Sequence, residues 1–92
     1  MIEKHVEDSI VAYCRRNKLL IYKFVSPGTR GVPDRIIFGN GKVLLLEIKR
    51  PGGHASPLQN LHIKLLNKQS IPAFVVDNLD DAKRLIQEHI MK

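Results

Sequence analysis

The dipeptide Asn40-Gly41 constrains the fold of this 92-residue chain more than any other short segment. Both residue types tolerate positive φ angles, so the pair is typical of the two-residue turn of a β-hairpin. The flanking segments, Pro33–Gly39 and Lys42–Lys49, contain the apolar and β-branched residues that favour strands. The sequence therefore predicts an antiparallel hairpin in this part of the chain.

Three further segments carry the signals of α-helices. Near the N-terminus, apolar residues recur at intervals of three and four, which places them on one face of a helix. The stretch Ser56–Gln59 combines a capping serine, a proline at the first helical position and a glutamine three residues after the cap. The expected helices run from Ile2 to about Arg16, from Ser56 to about Gln69 with an apolar stripe of Leu58, Leu61, Leu65 and Leu66, and from the capping Asn78 towards the C-terminus.

Two more strands complete the predicted sheet, Leu19–Val25 before the hairpin and Pro72–Val76 after the second helix. The first three strands would form an antiparallel meander, whereas the helix between the third and fourth strands permits those two to pair in parallel. The fold class is therefore expected to be α/β, on the border with α+β, with a mixed four-stranded sheet flanked by helices. The length suits a single domain that spans residues 1–92.

The charge balance favours an anionic partner. The chain has 15 Lys and Arg residues against 9 Asp and Glu residues, for a net charge of +6. Nucleic acid is the commonest large anion that such a chain would bind. A charge that only maintains solubility explains the total equally well, so the positions of the charges must decide between the two interpretations.

Other features exclude several classes of protein. The apolar runs are too short to cross a membrane, and the charged start of the chain, MIEKHVEDS, is unlike a signal peptide. The single cysteine, Cys14, cannot form an internal disulfide and is expected in the core. The histidines and Cys14 show no close ligand-pair spacing, which argues against a zinc site. A reducing, cytoplasmic location is therefore expected.

The register of the hairpin brings three charged residues together. A two-residue loop pairs Gly39 with Lys42, and counting back along both strands sets Asp34 directly opposite Glu47. Opposed residues share one face of the sheet, with Cβ atoms about 4.5–5.5 Å apart. Lys49 lies on that face as well, because side chains alternate along a strand. These side chains should meet at the end of the hairpin farthest from its turn.

The predicted proximity of Asp34 and Glu47 needs a chemical explanation. Two ionised carboxylates across a strand pair repel each other, and one would take up a proton unless a counter-ion lies between them. A hard divalent cation such as Mg²⁺ suits this place, because it is commonly bound by one or two carboxylates together with waters and phosphate oxygens. The alternative is a surface strand whose polar face happens to carry an Asp, a Glu and a Lys, with Lys49 paired to Glu47.

At these residues the sequence resembles the PD-(D/E)xK nuclease superfamily, whose signature reads here Pro33-Asp34 and then Glu47-Ile48-Lys49. Within the superfamily it is most similar to the virus-type replication-repair nuclease (VRR-NUC) domain, in the stand-alone form found in phages. The resemblance covers nearly the whole chain, including the glutamates of the first helix and the segments YKFVSPGTRGVPDRIIF, LLEIKRPGG and SPLQ. It implies an αβββαβα core and a divalent-metal-dependent DNA endonuclease.

The resemblance also implies roles for individual residues. Asp34 and Glu47 would bind the metal, Mg²⁺ or Mn²⁺, and Lys49 would position or activate the attacking water. A glutamate of the first helix completes the family's acidic set of metal ligands and catalytic residues. We favour Glu7 over Glu3 for that place, because Glu7 lies in mid-helix and Glu3 near the terminus.

Gln59 has two competing explanations. It matches the glutamine of the second helix in the family, which implies a place in the active site. It is also the residue that would close a capping box with Ser56, in which its side chain bonds back to the backbone. Both explanations can hold at once, so both stay open here.

The expected substrate is DNA, recognised by backbone charge and shape rather than base sequence, because few aromatic residues are free to stack on bases. Family analogy suggests branched DNA, such as a junction or a flap, handled by a homodimer. A dimer would also relieve the thin stability margin of so short a chain. The rival is a non-catalytic, basic nucleic-acid-binding module. Candidate contacts to the DNA backbone are Arg30, Arg50, His54 and Lys64, whereas Arg35 is expected on the sheet face opposite Asp34.

Overall fold

The computed structural model describes residues 1–92 and contains three helices and four strands in the predicted order. The αβββαβα arrangement is confirmed, as an α+β fold in which two of the three strand pairs are antiparallel. None of the helices combines the length and the apolar composition that a membrane crossing requires. The elements are α1 (Glu3–Arg16), β1 (Leu20–Lys23), β2 (Arg35–Gly39), β3 (Lys42–Ile48), α2 (Pro57–Lys68), β4 (Ala73–Val76) and α3 (Leu79–His89).

The strands follow one another across the sheet in chain order, β1-β2-β3-β4. β1, β2 and β3 form the predicted antiparallel meander, and β4 pairs in parallel with β3 because α2 carries the chain back along the sheet. The hairpin turn has positive φ angles of 53° at Asn40 and 74° at Gly41, which match the twist of the flanking strands. Gly39 pairs with Lys42, so the register of the hairpin is the predicted one.

The main hydrophobic core lies between the sheet and the helices α1 and α3. Every second residue of β3 points into it, because side chains alternate along a strand, whereas α1 contributes residues at intervals of four. Cys14 is fully buried in this layer, as predicted. Members of the core include Val6 and Ile10 of α1, Ile37 of β2, Leu44, Leu46 and Ile48 of β3, Ile86 of α3 and Ile90 just after it.

The second helix packs less tightly than its sequence pattern predicts. α2 contacts β4, contributes nothing to the main core and has no fully buried residue. Its most shielded positions, Gln59, His62, Ile63 and Leu66, recur at helical spacing but are only half-buried. Of the predicted apolar stripe, only Leu66 is among these shielded positions. The other three leucines lie on the flank of the helix, with Leu58, Leu61 and Leu65 exposed by 43%, 48% and 46%.

Candidate active site

Asp34 lies at the point where the chain enters the sheet. β2 begins at Arg35 and β3 ends at Ile48, so Asp34 and Lys49 lie just outside the strands rather than within them as predicted. The backbone carbonyl of Asp34 accepts a hydrogen bond from the Phe24 amide (2.8 Å), and its carboxylate Oδ2 accepts one from the Ile48 amide (3.0 Å). These bonds hold Asp34 against both neighbouring segments, with its carboxylate turned towards β3.

Glu47 is the one charged residue that the fold buries, with 1% of its surface exposed. Arg35 pairs with Leu46, so one further step along both chains sets Asp34 opposite Glu47, in the predicted register. The carboxylate oxygen Oε2 of Glu47 lies 3.1 Å from Nζ of Lys49. The structure therefore brings together the acidic pair and the lysine that the hairpin register predicts.

The electrostatics of Glu47 show that the two acids interact. Burial, and next the negative charge of Asp34, raises the pKa of Glu47 from 4.5 to about 7, while the ammonium group of Lys49 offsets part of the rise. The second carboxylate oxygen, Oε1, is buried and has no hydrogen-bond partner. An unpaired buried oxygen costs about 1–3 kcal/mol, and in native proteins it commonly marks the place of an ion or a water.

The side chains at this site fit a hard divalent cation. Asp34 and Glu47 offer the carboxylate oxygens that Mg²⁺ and Mn²⁺ prefer, and the unpaired Oε1 of Glu47 is free to bind. No three His, Cys, Asp or Glu side chains are grouped closely enough to hold a metal ion by themselves. Asp34 and Glu47 would therefore bind the metal together with waters and phosphate oxygens, which is a common pattern for Mg²⁺, and a ligand from α1 would have to reach it from the cavity beside Asp34.

The two glutamates of α1, Glu3 and Glu7, share a cavity with Asp34. Glu3, Glu7 and Asp34 line one cavity of about 300 Å³, together with Lys23 at the end of β1 and residues 24–25 after it. Glu47 is not part of the wall of this cavity. Both helix-one candidates are thus close to Asp34, and the cavity alone does not choose between them.

Glu7 makes an ion pair that the sequence reasoning missed. Nε of Arg35 donates a hydrogen bond of 2.9 Å to Oε2 of Glu7. The alternation of side chains along β2 was the available signal, because it sends Arg35 to the face of the sheet on which α1 packs. Arg35 was predicted to lie on the face of the sheet opposite the one that carries Asp34, and this contact agrees with that prediction.

The capping explanation of Gln59 is confirmed. Its backbone amide donates to Oγ of Ser56 (3.1 Å), and its Oε1 accepts from the Ser56 amide (2.8 Å), which completes the capping box. The start of α2 also lies against the loop that precedes Asp34, since a Cβ atom at Gly31 would lie 2.7 Å from Cγ of Leu58. Gln59 is therefore held near the loop that leads to Asp34. Its role in the active site stays a prediction.

The four candidate DNA contacts are all exposed, and none forms an ion pair with a carboxylate. The loop after β3 makes a tight turn in which the Gly53 amide donates to the Arg50 carbonyl (2.8 Å). The Gly52 amide donates to Oδ2 of Asp77 (2.9 Å), and this bond is the main cause that lowers the pKa of Asp77. That amide is therefore occupied, and the side chains of Arg50 and His54 are the groups that the loop presents to an anion.

A larger cavity, of about 620 Å³, lies at the opposite end of the hairpin. Its wall is formed by residues beside the Asn40-Gly41 turn, including Phe38 and Leu20, and it contains no acid and no histidine. Its distance along the strands from Asp34 and its apolar wall separate it from the acidic site.

Comparison with known proteins gives a phage protein as a relative in sequence. No protein-family model matches the chain. A protein named "Putative nuclease p44", from Acyrthosiphon pisum secondary endosymbiont phage 1, is 45% identical over 58 residues, which cover 62% of this chain and 62% of that protein. The matched part therefore spans about three-fifths of the length of the relative.

Two solved structures are similar over nearly the whole chain. One, described as a VRR_NUC domain, has a TM-score of 0.83 at 22% identity and covers 92% of this chain and 94% of its own; at that identity it speaks for the fold alone. The other, a VRR_NUC domain protein, has a TM-score of 0.83 at 25% identity and covers 99% of this chain and 89% of its own. The likeness in fold thus extends over nearly the whole chain.

Proposed function

The chain has the VRR-NUC fold, and we propose that it is a divalent-metal-dependent endonuclease that hydrolyses phosphodiester bonds in DNA. The observation that carries the proposal is the buried Glu47, whose Oε1 lacks a partner although Asp34 is its neighbour. Such an oxygen is costly in a small domain unless it binds something. A cation shared by the two acids would satisfy it.

Asp34 and Glu47 are the proposed ligands of Mg²⁺ or Mn²⁺. When bound, the metal would polarise the scissile phosphate and lower the pKa of a water. The protein's own part is to hold the two acids rigidly, Asp34 through the Ile48 amide and Glu47 within the paired strand β3. Glu7 is the proposed third acidic ligand of the metal, with Glu3 as the alternative on the same cavity wall.

Lys49 is the residue proposed to hold the attacking water. Its Nζ lies 3.1 Å from Oε2 of Glu47, and 18% of its side chain is exposed, so Lys49 contacts the buried acid and still meets solvent. A fixed positive charge there would orient a water and stabilise the charge that develops on the phosphate. Gln59 would assist through its side-chain amide group, because its carbonyl oxygen is already bonded to Ser56.

The proposed DNA contacts are carried by exposed side chains around this site, namely Arg30, Arg50, His54 and Lys64. Contacts of this kind recognise the phosphate backbone and carry no base sequence. We therefore propose a structure-selective enzyme for junction-like or flap-like DNA rather than a sequence-specific one. Its affinity for DNA should fall steeply with salt, because each neutralised phosphate releases counterions.

A homodimer is also part of the proposal. Leu58, Leu61 and Leu65 form one exposed stripe on α2, a large apolar surface for a helix that buries nothing. A second copy that packs on this stripe would remove it from water. Sedimentation should show that Leu61→Glu weakens the dimer, whereas Asn60→Glu, a change to the same charged residue on another side of α2, does not. A wild-type chain that stays monomeric at high concentration would contradict this part.

The rival function, a non-catalytic DNA-binding module, has one observation in its favour. Lys49 already neutralises Glu47, and a pKa of about 7 lets Glu47 exist in the protonated form without a metal. In that case the acidic pair would be a tolerated feature of the sheet. A calorimetric measurement of Mn²⁺ binding separates the two functions. Only the nuclease needs the metal to offset the repulsion between its acids and phosphate, so binding favours the nuclease and no binding favours the module.

The test of the enzyme uses labelled junctions, flaps, duplexes and single strands, digested with Mg²⁺, with Mn²⁺ or in EDTA. Wild-type protein should cut at least one branched substrate with metal and none in EDTA. Asp34→Asn and Lys49→Met should abolish cutting while circular dichroism shows a native fold, and Asp8→Asn, an exposed acid of α1, serves as the matched control. Full activity in EDTA, or in folded Asp34→Asn, would refute the proposal.

A further inference from the structure

We propose that Arg35 is a positioning residue that holds Glu7 over the acidic site, an inference that rests on the proposed function. The side chains of this ion pair are shielded, with 14% of Arg35 and 26% of Glu7 exposed. The pairs within helices α1 and α3 lie on the surface, with more than half of each side chain exposed. Exposed pairs contribute little to stability or geometry, whereas a shielded, hydrogen-bonded pair fixes both side chains.

The location of Arg35 in the chain connects α1 to Asp34. Consecutive residues send their side chains to opposite faces, so Asp34 turns towards β3 and Arg35 turns towards α1. The guanidinium group of Arg35 therefore lies against α1 at Glu7.

This contact decides which glutamate of α1 is fixed in place. Glu3 and Glu7 both line the cavity with Asp34, but Glu3 is exposed and makes no ion pair, so nothing holds its side chain. Glu7 has its Oε2 fixed by Arg35, which leaves Oε1 for the cavity. Arg35 thus keeps one acid oriented beside another.

The test measures Mn²⁺ affinity by electron paramagnetic resonance, together with thermal unfolding in EDTA. Residues that orient metal-binding side chains through hydrogen bonds typically contribute about 10–100-fold to metal affinity. We expect Arg35→Gln to weaken Mn²⁺ binding about tenfold, and Arg35→Lys to weaken it less because the charge remains. Arg84→Gln, which breaks a surface pair of α3, should leave the affinity unchanged.

A double-mutant cycle separates positioning from simple support of the fold. If Arg35 acts through Glu7, then Arg35→Gln combined with Glu7→Gln should bind Mn²⁺ no more weakly than Glu7→Gln alone. Cutting by Arg35→Gln should recover in part when the Mn²⁺ concentration is raised, which a purely structural role does not predict. Independent, additive losses of affinity would overturn the inference.

The possible failures are distinguishable. A folded Arg35→Gln with wild-type Mn²⁺ affinity would overturn the role of Arg35 while leaving the nuclease proposal intact, provided that Asp34→Asn loses the metal. If Arg35→Gln does not fold, Glu7→Gln is the variant that tests the inference. Its side-chain amide oxygen can still accept the hydrogen bond from Arg35, but the lost carboxylate must weaken Mn²⁺ binding. A wild-type protein that binds no Mn²⁺ would overturn both the proposed function and this inference.

Discussion

The free energy of unfolding of the metal-free protein should fall as the pH rises, and Glu47 should account for about 3 kcal/mol of that fall. Burial and the charge of Asp34 raise the pKa of Glu47 from 4.5 to about 7 in the folded protein. The folded state therefore holds this proton more tightly than the unfolded chain does. The resulting stabilisation is complete below pH 4.5 and is lost as the pH rises through 7.

The magnitude follows from the difference between the two pKa values. Each unit of that difference corresponds to about 1.4 kcal/mol between the protonation states, which gives about 3 kcal/mol for Glu47 at pH values well above 7. Small domains are stable by only about 5–15 kcal/mol in total. Ionisation of this single residue should therefore remove a large part of the stability of the domain when no metal is bound.

The assay is urea unfolding in EDTA, followed by circular dichroism at pH values between about 5 and about 8. The comparison protein is Glu47→Gln, which keeps the shape of the side chain but carries no titrating group. Subtraction of the two profiles cancels the histidines and the other groups that titrate in this window. Asp8→Asn is the control, since its exposed carboxylate should leave the profile as it is in the wild type.

Wild-type protein should lose between about 2 and 3 kcal/mol relative to Glu47→Gln across the window, because part of the full loss occurs below pH 5. Saturating Mg²⁺ should reduce the loss because a bound cation favours the ionised carboxylate. A difference between the two proteins that is constant with pH would refute the reasoning. It would mean that the Lys49 ammonium group compensates fully for the burial of Glu47.

Three further predictions concern the fold that supports the site. The Cys14 thiol, buried and with its pKa raised to about 11, should react with a disulfide reagent at pH 8 only as fast as the protein unfolds; rapid labelling of the native protein would contradict this. Gly41→Val should cost about 1–2 kcal/mol in urea unfolding, because a β-branched residue is strained at a φ of 74°. Ser56→Ala should cost about 1 kcal/mol through the lost cap and leave Mn²⁺ affinity unchanged.

Local signals predicted the parts of the fold that depend on few residues. The turn at Asn40-Gly41 determines the hairpin register through its backbone angles alone, and that register sets Asp34 opposite Glu47. The capping box at Ser56 likewise involves only neighbouring residues. Strand ends were predicted less well, because whether Asp34 or Lys49 counts as part of a strand depends on hydrogen bonds to partners that are distant in the chain.

The features that the sequence did not reveal depend on how whole elements pack. Leucine spacing predicts that α2 has an apolar side, but not that this side, with Leu61 and Leu65, misses the sheet. A partner that lies outside the chain is one physical reason for such a pattern. The contact of Arg35 with Glu7 was equally hidden, because it joins residues 28 positions apart through the relative placement of α1 and β2. The alternation of side chains along β2 predicted the face of the sheet on which Arg35 lies, but not its contact with Glu7.

The charges around Asp34 would let the proposed site serve both a cation and an anionic substrate. Glu47 is paired with Lys49 on one side of the sheet and Glu7 with Arg35 on the other, so above pH 7, where Glu47 is ionised, the three carboxylates and two cationic groups leave one negative charge. In a chain of net charge +6, this place repels phosphate while the surrounding surface attracts it. A bound divalent cation would change the local charge from −1 to +1. DNA would then be drawn to the acids only after the metal is bound, which orders the two binding events by electrostatics alone.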